Sequence, residues 1–482
     1  MSITPQKMRY LYVLLFLTVM MTLPWLGLTD FNTKGEPREA IVAQTMLSQN
    51  NWILPHNNGG EIAYKPPFMH WCMAACGALV GGVNEYVARF PSAFSAILLA
   101  FGIYFFYARR RDGRTALMTA FISFSSFEML RAAYACRVDM LLTMCIAGAM
   151  MLLEGWQERG RRGFLPWMAI LLMSVGTLTK GPVAIVLPCA VAWICAVVRR
   201  EGWLRETFLM ILTAVVSLIL PAIWYYAAYQ QQGDAFLQLF MEENVYRFLG
   251  RMSYRSHENG LWYYFVMLPA GLLPWTLMLL PALFRKMSLQ VMKERLKIMD
   301  RTEVFSLVAA LSVFVFYCIP HSKRGVYIMP MYPFVSFFIA QHLCVNYTQR
   351  FIRRLSSAVA VLYVIAFAVV LPIILNRKSD LGTARLIERQ VGDAPLTSYV
   401  AGSVSGNPMH YFTINFYLHD RVGVWTEQGP ASPNGYLIIG KDDAECFLPQ
   451  KGYVFNRVAL PEHRSCDTHQ VICLYEYHAI VK

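Results

Sequence analysis

Long apolar runs separated by short polar loops dominate the first 375 residues. The first is YLYVLLFLTVMMTLPWLGL, Tyr10 to Leu28. Others follow at 87–108, 115–130, 138–155, 164–179, 182–198, 206–228, 262–284, 304–319, 326–344 and 355–375. A helix needs about 20 apolar residues to cross roughly 30 Å of hydrocarbon, and most of these runs approach that length. The pattern predicts a polytopic α-helical membrane protein with about 11–13 transmembrane helices. The first run is too long for a signal-peptide core and no small-residue cleavage site follows it, so it reads as a retained helix. FMHWCMAACGALVGG, Phe68 to Gly82, is short and bounded by polar loops. It is expected to lie at the interface rather than to span.

After Leu375 the texture changes. Residues 376–482 are polar, with short β-like runs such as YLIIG (436–440) and VICLYEY (471–477) and a turn cluster, GPASPNG (429–435). They predict a small soluble α/β domain. The expected organisation is a transmembrane part, 1–375, whose first outer loop is 30–86, followed by an extracytoplasmic domain, 376–482. No repeat of fixed period and no low-complexity tract interrupts it.

Charge gives the runs a direction. The chain carries 43 Lys and Arg against 30 Asp and Glu, a net charge of +13, yet only 15% of its residues are charged. With the N-terminus inside and Phe68–Gly82 not spanning, the basic loops RRRDGR (109–114), ERGRRG (158–163), RREGWLRE (199–206), the 285–301 loop and QRFIRR (349–354) all face the cytoplasm. That satisfies the positive-inside rule. The basic excess therefore needs no nucleic acid. An odd number of spans puts the C-terminal domain on the outer face of the membrane. The eleven cysteines have no metal-ligand spacing. Cys446, Cys466 and Cys473 lie in the polar tail, where one disulfide and one leftover thiol are allowed.

The outer side carries few charges, in unusual places. Directly after the first run, FNTKGEPREAIV packs Lys34, Glu36, Arg38 and Glu39 into six residues. Then come Lys65 beside two prolines, Arg131, Arg137 and Asp139 at a helix end, and Lys180 between two apolar runs. Arg247, Arg251, Arg255 and His257 follow in one loop, and His321, Lys323 and Arg324 in another. Ionisable groups at membrane depth cost a few kcal/mol each and persist where they pair or line a polar cavity. Cations outnumbering three carboxylates suit a phosphate ligand, and a carboxylate among them suits a general base. Arg89 reads as a snorkelling anchor. Glu39 reads either as part of this set or as an acid favouring the first turn of a helix. The histidines read as hydrogen-bonders rather than metal ligands.

The ordered series Glu36-Pro37-Arg38, Lys65-Pro66-Pro67, Arg137-Val138-Asp139, Leu178-Thr179-Lys180-Gly181-Pro182, Arg247-Phe248 and Ser322-Lys323-Arg324 with Tyr327-Ile328-Met329-Pro330 resembles the GT-C membrane glycosyltransferases. The resemblance is to the branch that contains lipid A aminoarabinose transferases and protein O-mannosyltransferases, and it runs from about Tyr10 to Pro333. It implies a GT-C-like fold with interfacial helices in the first outer loop. It implies a sugar donor on a polyprenyl phosphate and a lipid A-like, glycan, lipid or protein acceptor. The family's essential acidic residue maps to Glu36, although relatives often show an Asp-Glu pair where this chain has Gly35-Glu36. Its phosphate-binding lysine maps to Lys65 and its later acidic residue to Asp139. Expected substrate contacts are Lys65, Tyr64, Arg38, Arg137, Lys180, Arg247, Lys323, Arg324 and Tyr327. A cofactor is not specified, and a divalent metal ion is left open. Protein O-glycosyl transfer to Ser or Thr is the alternative within this frame. A transporter or flippase for an anionic lipid is the alternative outside it.

Overall fold

A computed structural model describes residues 5–63, 65–161, 163–246, 259–280, 294, 296–401, 410–449 and 452–480. Contacts divide the chain into two compact units. One joins Met1–Pro24 to Pro91–Val364, and the other joins Trp25–Phe90 to Ile365–Lys482.

Among the described residues, seven helical stretches are long and apolar enough to cross a membrane: Pro5–Trp25, Glu85–Ala108, Val138–Glu158, Trp203–Gln232, Arg301–Cys318, Gly325–Asn346 and Gln349–Lys378. The chain is a multi-pass membrane protein. Two expected spans form shorter apolar helices, Trp167–Lys180 and Val183–Val198. The run at 115–130 breaks into Gly113–Phe124 and Phe127–Ala133. The break follows from two adjacent serines whose hydroxyls bond back to the Phe121 and Ile122 carbonyls, while Trp275 Nε1 donates to Ser125 Oγ. The run at 262–284 gives the helix Tyr263–Gly271 and a 3-10 turn, Trp275–Leu279, and residues 281–284 lie outside the described set. Phe68–Val80 is a 13-residue helix. At 1.5 Å per residue it reaches about 20 Å, short of the hydrocarbon thickness.

Several threonines within these helices are satisfied locally, which suits a dry environment. Thr18, Thr143, Thr177 and Thr179 donate to carbonyls four residues earlier, at 2.7 to 2.9 Å. Some helix starts carry side-chain caps. Asp112 accepts from the Arg114 and Thr115 amides, and Asp300 forms a reciprocal capping box with Glu303. Charged loops at one end of this unit are cross-linked. Arg199 and Arg301 both bond Glu154, Arg301 also bonds Glu201, Arg161 bonds Glu206, and Arg110 and Arg111 bond Glu158 and Asp300. Four of the five basic loops singled out above thus meet through ion pairs.

Among its described residues the second unit holds a five-stranded sheet. A small hairpin in the first loop, β1 (His56–Asn57) and β2 (Glu61–Ile62), precedes it. The sheet strands are β3 (Leu396–Tyr399), β4 (Val422–Val424), β5 (Asn434–Gly440), β6 (Tyr453–Val458) and β7 (Ile472–Ala479). β3 runs parallel to β4 and β5, while β7 is antiparallel to β5 and β6. Leu437, Ile438 and Ile439 are fully buried, so both faces of β5 are covered. The first loop belongs to this unit. Its Gly35–Ser48 helix packs beside Phe412–Tyr417, with the Phe31 and Phe416 rings 4.7 Å apart and the Phe31 amide donating to Tyr417 Oη. Cys446, Cys466 and Cys473 are free thiols.

Asp467 caps the Phe412–Tyr417 helix by accepting from the Thr413 amide at 2.8 Å, while its Oδ1 is buried without a hydrogen-bond partner among the described residues. Burial pushes its carboxyl up to about 7, from an ordinary value of 3.8. Between those values the native state binds more protons than the unfolded chain, so this group lowers stability as pH rises through the window. Asp467→Asn should therefore raise the thermal midpoint of the purified protein at pH 8 and lose that advantage near pH 4. Equal midpoints at pH 8 would refute the assignment.

Candidate functional site

The polar machinery of the first loop is built on Arg89. Its Nε and Nη2 donate to the two oxygens of Glu36 at 2.9 and 3.1 Å. Its Nη1 donates to the Leu26 and Thr29 carbonyls and to Thr29 Oγ1, and the guanidinium lies 5.0 Å from the Phe31 ring. Arg89 is 2% exposed. The snorkelling reading is therefore wrong, because a snorkelling head reaches water and this one is enclosed by acceptors. The residue ties the end of the first span to the start of the next helix and fixes where the Gly35–Ser48 helix begins.

One turn along that helix, Glu39 is the centre of a second cluster. Its Oε1 bonds the Lys65 ammonium and lies 3.7 Å from Arg38 Nη2, and its Oε2 lies 3.0 Å from His70 Nε2. Burial alone would push the Glu39 carboxyl up. Lys65, His70 and Arg38 outweigh it and hold the group well below the usual carboxylate range. Glu39 is thus more than a helix-start acid, and His70 is a buried hydrogen-bonder, as its spacing indicated. Lys65, Arg38, Glu39 and His70, with Asn57 and Glu61, line a cleft of about 30 Å³. Glu61 in turn bonds His410 Nε2 at 2.6 Å.

The membrane-spanning unit has its own cluster. Asp139 sits in the first turn of Val138–Glu158, and Lys180 ends Trp167–Lys180. Each charge lies at the helix terminus that favours it. Lys180 Nζ bonds Asp139 Oδ1 at 2.6 Å and stands 4.3 Å from the centre of the Tyr327 ring. It borders a cavity of about 370 Å³ walled largely by Pro182, Val183, Phe316, Tyr317 and Tyr327, with Glu243 also on its lining. Asp139 thus pairs with Lys180, 41 residues on. Arg137 caps Val138–Glu158 with its backbone, and its carbonyl accepts from Ser92 Oγ. Lys323 is 4% exposed and its Nζ donates to the Pro320 carbonyl at 2.5 Å. Arg324 is half-buried at the start of the Gly325–Met331 turn. Tyr64 and Arg247, with Arg251, Arg255 and His257, lie outside the described residues.

Sequence reasoning missed Arg89 and Glu128 as pairing groups. Glu128 takes Arg131 on both oxygens, at 3.0 and 2.6 Å. The available signal was the same for both: an ionisable residue within an apolar run, which by cost alone should bring a partner. Among the described residues, no group of three or more His, Cys, Asp or Glu side chains could hold a metal ion.

These features sit on a known architecture. The structure superimposes on the crystal structure of ArnT from Cupriavidus metallidurans bound to undecaprenyl phosphate with a TM-score of 0.73, covering 98% of each chain at 19% identity. The chain is a GT-C-fold membrane protein. The same fold relates it more distantly to the archaeal oligosaccharyltransferase AglB from Archaeoglobus fulgidus, with a TM-score of 0.51 and 12% identity over 91% of this chain and 70% of that one. In sequence, residues 64–226 match the family described as dolichyl-phosphate-mannose-protein mannosyltransferase. The undecaprenyl phosphate-alpha-4-amino-4-deoxy-L-arabinose arabinosyl transferase of Shewanella sediminis is 26% identical over 70% of this chain and 60% of its own length. The protein of the same name from Pseudomonas aeruginosa (strain LESB58) is 30% identical over 61% of this chain and 52% of its own. The GT-C chain thus spans about 60% or less of these relatives.

The Arg89–Glu36 pair should be a structural keystone of the GT-C first loop. Arg89→Met strands a buried carboxylate and should cost about 3–5 kcal/mol. The double variant with Glu36→Gln should recover part of that loss in thermal melts of the purified protein. A single variant that melts like the parent would remove the keystone role.

Proposed function

We propose that this chain is an inverting glycosyltransferase that moves a sugar from a polyprenyl (undecaprenyl) phosphate donor to a lipid A-like or other glycan or lipid acceptor. The reaction takes place at the periplasmic face of the inner membrane. The observation that carries this reading is the cavity bordered by Lys180: largely apolar walls with an ammonium held at the edge by Asp139 and Tyr327. A polyprenyl phosphate has that same division, an apolar chain ending in an anion. The neighbouring ArnT structure is described as bound to undecaprenyl phosphate, and the curated relatives are named for transfer from such a donor.

The chemistry asks little of the protein. The leaving group departs as a phosphate anion, so it needs positive charge and no proton. Lys65, Arg38, Arg137, Lys180, Lys323, Arg324 and, outside the described residues, Arg247 are the proposed cations. Tyr64 and Tyr327 are proposed to contact the donor. Preorganised charge aimed at a departing anion is worth several kcal/mol. A carboxylate, Glu36 or Asp139, orients or deprotonates the acceptor for a single displacement. The functional division proposed is a transferase part, 1–375, including the 30–86 loop, and a periplasmic domain, 376–482. The N-terminus is placed in the cytoplasm. The cross-linked basic loops favour one shared cytoplasmic end.

Lys65→Ala should lower transfer from a labelled polyprenyl-phosphate sugar by about 10²–10³-fold, the scale of one lost preorganised donor, while membrane insertion is unchanged. Full activity would count against the reading of Lys65 as phosphate clamp. Glu36→Gln and Asp139→Asn compared in the same assay assign the base: the variant that keeps substrate affinity and loses turnover marks it. Alkaline phosphatase fused after residue 480 should be active, and fused within 109–114 inactive. The reverse pattern would invert the proposed topology.

A further inference from the structure

The first-loop cleft holds two groups that the proposed chemistry does not use. Glu39 and His70 are both almost wholly buried, at 3% and 1% exposure, so neither is placed to touch a lipid headgroup. Lys65, by contrast, keeps 21% of its side chain exposed. The three form a line: His70 Nε2 on one Glu39 oxygen, the Lys65 ammonium on the other. His70 Nδ1 is buried and has no hydrogen-bond partner among the described residues. A buried N–H without an acceptor costs more than an unprotonated ring nitrogen in the same place, so the proton belongs on Nε2, where Glu39 accepts it. We propose that Glu39 and His70 are positioning residues: His70 donates to Glu39 and fixes its carboxylate, and the fixed carboxylate holds the Lys65 ammonium where a lipid-linked phosphate is bound.

The proposal rests on the reading of Lys65 as phosphate ligand and adds to it the device that aims the lysine. A lysine is a point charge on a flexible four-carbon stem, and a phosphate site built on one must pay the entropy of holding it. Two prolines directly after Lys65 stiffen its backbone but leave its side chain free. Glu39 removes that freedom, provided the carboxylate itself cannot rotate. His70 supplies the restraint. It lies on the first turn of Phe68–Val80, three residues after Pro67, so the helix that begins at the KPP motif carries the group that orients the lysine of that motif. Arg38, 3.7 Å from Glu39, adds charge on the same oxygen as Lys65 and leaves the other oxygen to His70. Glu39 stays ionised in this surrounding, because the cations hold it well below the usual carboxylate range against the effect of burial.

The test is binding of undecaprenyl phosphate itself to the full-length protein in nanodiscs, which needs neither the sugar nor the acceptor. His70→Leu should raise the Kd roughly tenfold or more, the weight of a hydrogen bond to a charged group. His70→Gln places an amide N–H near the position of Nε2 and should restore most of the affinity. His70→Asn is too short to reach Glu39 and should not. Because His70 acts through Lys65, His70→Leu combined with Lys65→Ala should bind no worse than Lys65→Ala alone, whereas independent effects would add. Additive losses, or a His70→Leu protein that binds like the parent, overturn the proposal. If His70→Leu fails to fold, the Gln and Asn pair carries the comparison alone, and equal affinity of the two overturns it. A parent protein that does not bind undecaprenyl phosphate overturns the underlying functional reading instead, an outcome distinct from the loss of His70 dependence.

Discussion

A charge taken out of water must bring its counter-charge with it, and both units of this protein are arranged around that requirement. An isolated ion in a dry interior costs several kcal/mol even after relaxation, and breaking a buried pair from one side costs about 3–5 kcal/mol. In the sheet-bearing unit the rule places Glu36 on Arg89 and Glu39 on Lys65 and His70. In the membrane-spanning unit it places Asp139 on Lys180, Glu154 on Arg199 and Arg301, and Glu206 on Arg161. Glu206 is fully buried and accepts from Gln157 and Arg161 together. These pairs fasten helices remote in sequence, so positions dictated by electrostatics also set the packing.

The same rule explains the crowding of charge after the first span. Lys34, Glu36, Arg38 and Glu39 are neighbours in sequence, yet their partners differ. Glu36 faces Arg89. Glu39 gathers Lys65, His70 and Arg38. The positive charge of Lys34 is felt by Asp467. A helix turns about 100° per residue, so Glu36, Arg38 and Glu39 address different directions. Here the partners lie on the following helix, the proline-bearing loop and the C-terminal segment. The short charged stretch is a junction at which three parts of one unit are tied together.

How much of this could be read from the chain alone depended on the range of the interaction. Spans were legible because hydropathy is local. So were β5 and β7, whose apolar cores stand out at 436–440 and 471–477 in a polar tail. Helix ends were less so: the break at Ser125 and Ser126 depends on hydroxyls turning back onto carbonyls and on Trp275, 150 residues away. Pairings were not legible at all. Glu36 finds its partner 53 residues on, Glu39 finds Lys65 26 residues on, and Asp139 finds Lys180 41 residues on. Arg89 was misread for this reason. Its neighbours in sequence are apolar and suggest a side chain reaching for water, whereas its acceptors come from a loop some sixty residues earlier. Membership of the first loop in the sheet-bearing unit was hidden likewise, because Phe31 and Asn58 meet Phe416 and Asp420 only after folding.

The pairing pattern also distinguishes the carboxylates from one another. Both oxygens of Glu36 already accept from one guanidinium, which orients the group firmly and leaves only its outer lone pairs. Asp139 accepts from the Lys180 ammonium at 2.6 Å, a contact less directional than a guanidinium fork. Glu39 is committed to two cations and is enclosed. Glu36 is the anchor that sets the start of the helix carrying Arg38 and Glu39. In Gly35-Glu36 the glutamate is the residue that Arg89 requires.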